Sequence, residues 1–191
     1  IDGKVSKVLS QTPSCSRCPV CSALPTEMNK PENFSNGHFK TKTNFRHSLG
    51  PLHATMNVTK LLYNIACRKG VNTWKVTSAA NKKIVEANKK RIKEELYNAF
   101  SVRYDEPRAG GSGTSSTGSV CRKMLQKPKE LAKIFQIDEE LVTRLALVLK
   151  LISLKERLDT EKFGKYCREV YDLYVKLYPW YYMNATLHKV L

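Results

Sequence analysis

The chain has 191 residues, 41% of them hydrophobic, and its 33 Lys and Arg against 17 Asp and Glu give a net charge of +16. That length and apolar content exclude a disordered basic tail and suffice to bury a core. No apolar run approaches the roughly 20 residues of a membrane span, and no stretch pairs a basic face with an exposed Trp/Phe/Leu face, which argues against an anionic membrane as partner.

The opening Ile1-Asp-Gly-Lys has neither an initiator Met nor a signal-peptide pattern, so the sequence reads as part of a longer protein. Residues 1–50 look irregular. Pro13, Pro19, Pro25 and Pro31 punctuate polar residues and cysteines, and apolar periodicity is too weak for the segment to hold itself together. A metal or a neighbouring domain must tie it down.

From Pro51 the pattern turns helical. Leu52, Met56, Thr59, Leu62 and Tyr63 recur at helical spacing, Leu61, Ile65 and Ala66 widen the face, Pro51 suits a first turn and Gly70 a stop. Residues 78–100 predict a basic helix with Ile84, Ala87, Asn88, Ile92, Leu96 and Phe100 near one stripe. Lys82, Lys83, Lys89, Lys90, Arg91 and Lys93 fall elsewhere, opposed by Glu86, Glu94 and Glu95. Such a face is either simply solvated or a phosphate contact.

Residues 105–119 form a Gly/Ser-rich loop that lacks the Gly-Lys-Ser/Thr ending of a nucleotide P-loop. A helix start follows, with Cys121, Arg122 and Lys123 in its first turns, where backbone N–H groups and cations can hold a phosphate. Leu141, Leu145, Val148, Leu149 and Ile152 predict a further helix. Phe163, Tyr166, Cys167, Val170, Tyr171, Tyr174 and Tyr178 predict another, ended by Pro179, with the aromatics read as core. A last short helix, Trp180 to Leu191, carries His188. The fold class is therefore mainly α, with an irregular, metal-tied N-terminal segment.

The excess of cations is spread along the whole chain, which points to a polyanionic partner, nucleic acid first among them. Six cysteines, Cys15, Cys18, Cys21, Cys67, Cys121 and Cys167, are too sparse for a secreted disulfide scaffold and suggest a reducing compartment. The patterns Asn33-Phe-Ser35, Asn57-Val-Thr59 and Asn184-Ala-Thr186 match the glycosylation acceptor and are read as accidental.

Cys18-Pro-Val-Cys21 is the motif with chemistry in it. Its tight turn can bring two sulfurs to about 2.3 Å from one zinc ion. Cys15 adds an overlapping CxxC, and a four-coordinate site needs two more ligands, for which His38, His47, His53 and His188 are available. A thioredoxin-like role is disfavoured because no βαβ pattern surrounds the motif. A local knuckle using Cys15, Cys18, Cys21 and a nearby His such as His38 defines one alternative, a non-enzymatic nucleic-acid-binding module.

The ordered set Asp2-Gly-Lys, Cys18-x-x-Cys21, Leu52-His53-Ala54, Gly118-Ser-Val-Cys121-Arg122-Lys123-Met-Leu125 and His188-Lys-Val-Leu191 resembles the catalytic region of the V(D)J recombinase large subunit and its Transib-like transposase relatives. The resemblance spans nearly the whole chain, though no single motif is specific. It implies an RNase H-like core in which three acids bind two Mg²⁺ or Mn²⁺ ions for strand nicking and transfer, interrupted by a helical, zinc-bound insertion. Asp2 would be the second acid, Cys18 and Cys21 the zinc CxxC, and His188 the first of two zinc histidines. The family pattern His-Lys-x-Leu-x-His places the second histidine just past Leu191. Arg122 and Lys123 would lie near the DNA being cut.

The implied domains are 1–50 as core edge and knuckle, 51–104 as helices including the basic one, 105–119 as loop, and 120–191 as the zinc-binding helical region. The implied setting is the nucleus, with DNA as partner, a homodimeric parent, and neither a membrane nor a small-molecule substrate. An inactive, domesticated transposon remnant is the remaining alternative.

Overall fold

The apolar periodicities resolve into helices in a computed structural model, which describes residues 14, 16–35, 50–107, 115–154 and 156–191. These are α1 (Pro25–Met28), α2 (Glu32–Ser35), α3 (Pro51–Cys67), α4 (Ala79–Phe100), α5 (Gly118–Leu125), α6 (Pro128–Phe135), α7 (Glu139–Leu151), α8 (Thr160–Leu177) and α9 (Ala185–Val190). No strand occurs among the described residues, so the chain is mainly α.

The sequence of α3 dictates the arrangement. Lys60 is its one charged residue, and Ala54, Val58, Leu61, Leu62, Ile65 and Ala66 are all buried. A helix that is apolar on most sides has to be surrounded, and α4, α5, α6, α7 and α9 all pack on it. Pro51 occupies its first turn, and beyond Cys67 the chain reverses through Gly70 at φ +85°. On the next helix, Asn88 Nδ2 donates to the carbonyls of Cys67 and Lys69, fastening α4 to the end of α3.

Helix α4 begins where expected, with the Ser78 hydroxyl accepting the Asn81 N–H, but its buried stripe differs. Ile84 is 41% exposed and Ala87 is exposed, whereas Val85 is buried with Ile92, Leu96 and Phe100. Steps of seven and four residues from Val85 return to one face, and Ile84 stands about 100° away from it. The neighbours α3 and α6 cover the Val85 face.

The feet of the Gly/Ser-rich loop are fastened together. The Asp105 N–H donates to Ser116 Oγ (3.1 Å), the Glu106 N–H to Ser115 Oγ (3.0 Å), and the Ser115 N–H to the Glu106 carbonyl (2.8 Å). The loop's central residues 108–114 lie outside the described residues. Helix α5 then starts on a Thr117 cap, and Gly118 lies so close to α3 that a Cβ there would overlap Leu52.

In the last third, Asp138 caps α7 by accepting the Leu141 N–H (2.7 Å). The expected stripes are core: Leu141, Leu145, Val148 and Leu149 on α7, and Cys167, Val170, Tyr171 and Tyr174 on α8, are buried. The final helix is shorter than the expected Trp180–Leu191. Asn184 caps it at Ala185, and the backbone before it is engaged elsewhere.

That engagement ties down the N-terminal segment, which contains two single helical turns rather than being wholly irregular. Tyr171 Oη donates to the Met28 carbonyl (2.8 Å), Asn29 Nδ2 donates to the Tyr181 carbonyl (2.9 Å), and the Met183 N–H donates to Asn29 Oδ1 (2.8 Å). Asn29 thus bonds two backbone groups from the other end of the chain. Asn29→Ala leaves both without that partner and is expected to lower unfolding stability by about 2 kcal/mol, whereas Lys75→Ala, at an exposed position, should change it by less than about 0.5 kcal/mol. Urea unfolding of the two variants reads the difference.

Candidate metal centre

The Cys18–Cys21 turn is closed by its own backbone. The Cys18 N–H donates to the Ala23 carbonyl (3.0 Å), and the Ser22 N–H donates to the Cys18 carbonyl (2.8 Å). Ser22 takes the left-handed conformation, φ 67°, that such a reversal requires. Arg17 Nη1 reaches round to the Ser22 carbonyl (3.1 Å). Cys18 is 1% exposed and Cys21 half-buried.

The opposing group arrives on α9. Leu187 and Val190 are buried, and the helix packs on both α3 and α1. Asn57 Nδ2 donates to Thr186 Oγ1 (3.0 Å) and Asn184 Nδ2 to the Asn57 carbonyl (3.1 Å), so the amides of two glycosylation-like patterns serve this docking. His188, 8% exposed, is brought to the turn with its Nε2 3.4 Å from Cys21 Sγ across 167 residues of sequence.

Cys18 Sγ, Cys21 Sγ and a ring nitrogen of His188 all lie within 4.8 Å of one another. Around tetrahedral zinc such atoms stand roughly 3.5–3.8 Å apart, so the cluster needs to contract by no more than about 1 Å. The cluster could hold a metal ion, and the chemistry of its donors fits. A hydrogen bond from the Cys21 thiol, with the N–H groups of Cys21 and Val20 and the charge of Lys189, lowers the Cys18 thiol below its ordinary value despite burial. Cys21 is pushed up because it holds the proton that the pair shares, and burial adds to this. Burial depresses His188 to about 4, leaving it neutral at physiological pH. One thiolate, one thiol whose proton a cation can displace, and a neutral imidazole are the states from which a soft-ligand site is assembled.

Of the other expected ligands, Cys15, His38 and His47 lie outside the described residues, as does Asp2. His53 is exposed on the first turn of α3 and is not part of the cluster. Sequence reasoning missed Asn29, which fastens the two ends, and Lys189, whose charge lies beside Cys18. The position of Lys189 next to His188 was the available signal for the second.

The expected nucleic-acid contacts divide into two groups. Arg91 Nη1 donates to Glu95 and to the Ile134 carbonyl, both at 2.9 Å, and Lys93 Nζ donates to the Asp105 carbonyl (3.0 Å), so these two tie α4 to its neighbours. Lys89 pairs with Glu86 at 2.6 Å. Lys82, Lys83 and Lys90 are exposed and have no ion pair among the described residues. Arg122 and Lys123 are exposed near the end of α5, where Arg122 borders a groove of about 570 Å³ between α5 and α7.

In comparisons with known proteins, no family model and no curated protein matches the chain.

The Cys21 hydrogen bond that lowers the Cys18 thiol predicts that zinc binding at pH 7 releases fewer protons than the roughly two that a pair of ordinary thiols would give up. Calorimetric titration of the metal in buffers of different ionisation enthalpy counts the protons. A release of two would contradict the lowering of the Cys18 thiol.

Proposed function

We propose that this chain is the zinc-stapled helical insertion of a DNA transposase or recombinase, in which zinc joins Cys18, Cys21 and His188 and the basic helices contact DNA. The observation that carries the reading is the convergence of His188, from the end of the chain, on the CxxC turn near its start. A local knuckle has no need of that long-range approach. The resemblance in the sequence anticipates the same three ligands and places a second histidine five residues after His188. That gives a C-x₂-C and H-x₄-H set, within the spacing of tetrahedral zinc sites.

DNA is the partner best matched to a net charge of +16 on a folded, helical chain. Lys82, Lys83 and Lys90 on α4, with Arg122 and Lys123 on α5, are the exposed cations we assign to phosphate contact. Asp2 is the carboxylate we assign to the catalytic core. Mg²⁺ or Mn²⁺, held by Asp2 with the other acids of the set, would activate the attacking hydroxyl and stabilise the leaving oxygen. This chain's own share is a single acid, a structural metal site and a cationic surface.

Two outcomes are expected of the 191-residue chain. Duplex DNA binds, and the log–log salt dependence of its affinity becomes shallower by roughly 0.9 for each phosphate-contacting lysine removed, as fluorescence anisotropy of Lys83→Gln and Lys90→Gln would report. With Mg²⁺ the same chain nicks no DNA, since one carboxylate does not assemble a two-metal site. A salt-independent affinity, or metal-dependent nicking by the chain alone, contradicts the reading.

A further inference from the structure

Lys60, Asn64 and Arg68 succeed one another at four-residue steps on α3 and in the turn that follows it, and so share one face. Lys82, Val85, Glu86 and Lys89 share one face of α4 in the same way. The two faces look at each other across a cleft of about 270 Å³, with Asp105 also in its lining. Four cations thus face two carboxylates.

The carboxylates are already engaged. Lys60 pairs with Asp105, and Lys89 with Glu86. Arg68 and Lys82 have no ion pair among the described residues. Lys82 is exposed at the cleft's edge. Arg68, in contrast, is held in place: Nη1 donates to the Asn64 carbonyl (3.1 Å), and the guanidinium lies 5.4 Å from the centroid of the Tyr181 ring. Tyr181 is itself packed against Trp74 at 4.7 Å. A planar guanidinium held in this way matches the oxygens of a phosphate.

We infer that this cleft is a phosphate-binding site in which Arg68 is the anchor and Lys82 the gate-side cation. Phosphate oxygens accept from the half-buried Arg68 guanidinium where it lines the cleft, and balance the two cations that have no ion pair among the described residues. The volume falls just below the range of pockets for drug-sized ligands, which suits a single phosphate or pyrophosphate group. The group is either a backbone phosphate of bound DNA, an assignment that rests on the reading above, or part of a small phosphorylated compound.

The test uses inorganic pyrophosphate and a DNA duplex as probes, with Arg68→Gln, Lys82→Gln and, as a control for charge alone, Lys165→Gln on the exposed part of α8. Pyrophosphate affinity by calorimetry should fall at least tenfold in the first two variants and stay unchanged in the control. Lys82, which has no ion pair among the described residues, keeps the test decisive if Arg68→Gln folds poorly. Equal behaviour of Lys82→Gln and Lys165→Gln, or no binding of pyrophosphate, overturns the site. If pyrophosphate binding is lost and the DNA salt slope also falls by roughly 0.9 in Lys82→Gln, the phosphate belongs to the DNA backbone. If pyrophosphate binding is lost but DNA responds as it does to Lys165→Gln, or does not bind at all, the site stands as one for a small phosphorylated compound, and only its assignment to DNA fails.

Discussion

Two sulfurs on a six-residue turn and an imidazole 167 residues later can meet only if the chain between them holds both ends in register. That constraint organises the molecule. The central helix α3 is apolar nearly all round, and the elements wrapped on it include α9, which carries His188. On the other side of the cluster, Asn29 and Tyr171 fasten the N-terminal turns to the C-terminal segment by three hydrogen bonds to backbone groups. Packing and hydrogen bonding thus support the approach of Cys18, Cys21 and His188 from both sides. A metal ion bound by all three would close the loop between the two ends of the chain.

The charge of the chain is handled in two ways. Some cations act inside the fold: Arg91 bridges α4 and α6, Lys93 holds the loop foot at Asp105, and Arg144 joins Glu140 on its own helix to Glu169 on α8. Others are exposed without an acidic partner among the described residues, notably Lys82, Lys83 and Lys90 on α4. The second group makes the surface attractive to polyanions. The first shows why a count of lysines and arginines overstates the surface available for phosphate.

Much of the helical order was legible in the sequence, because the apolar residues recur at helical spacing and Pro51 and Gly70 are start and stop residues with local mechanisms. The side of α4 that faces inward was not. Ile84 and Val85 are adjacent apolar residues, and which is buried depends on where α3 and α6 come to rest. The CxxC turn was legible from spacing, and His188 stood among four histidines until the resemblance distinguished it. Asn29 was invisible, since its role is to bond backbone groups more than 150 residues away. Arg68 was missed for a similar reason: its preorganisation depends on Tyr181, which no local pattern connects to it.

The proposed zinc site depends on His188 reaching it from the far end of the chain. X-ray absorption at the zinc edge, on the zinc-loaded chain and on its His188→Ala and His38→Ala variants, reads this directly. The expected shell has sulfur at about 2.3 Å and imidazole nitrogen at about 2.0 Å, and it loses an imidazole in His188→Ala while remaining intact in His38→Ala. A shell unchanged by His188→Ala and depleted by His38→Ala would contradict the account.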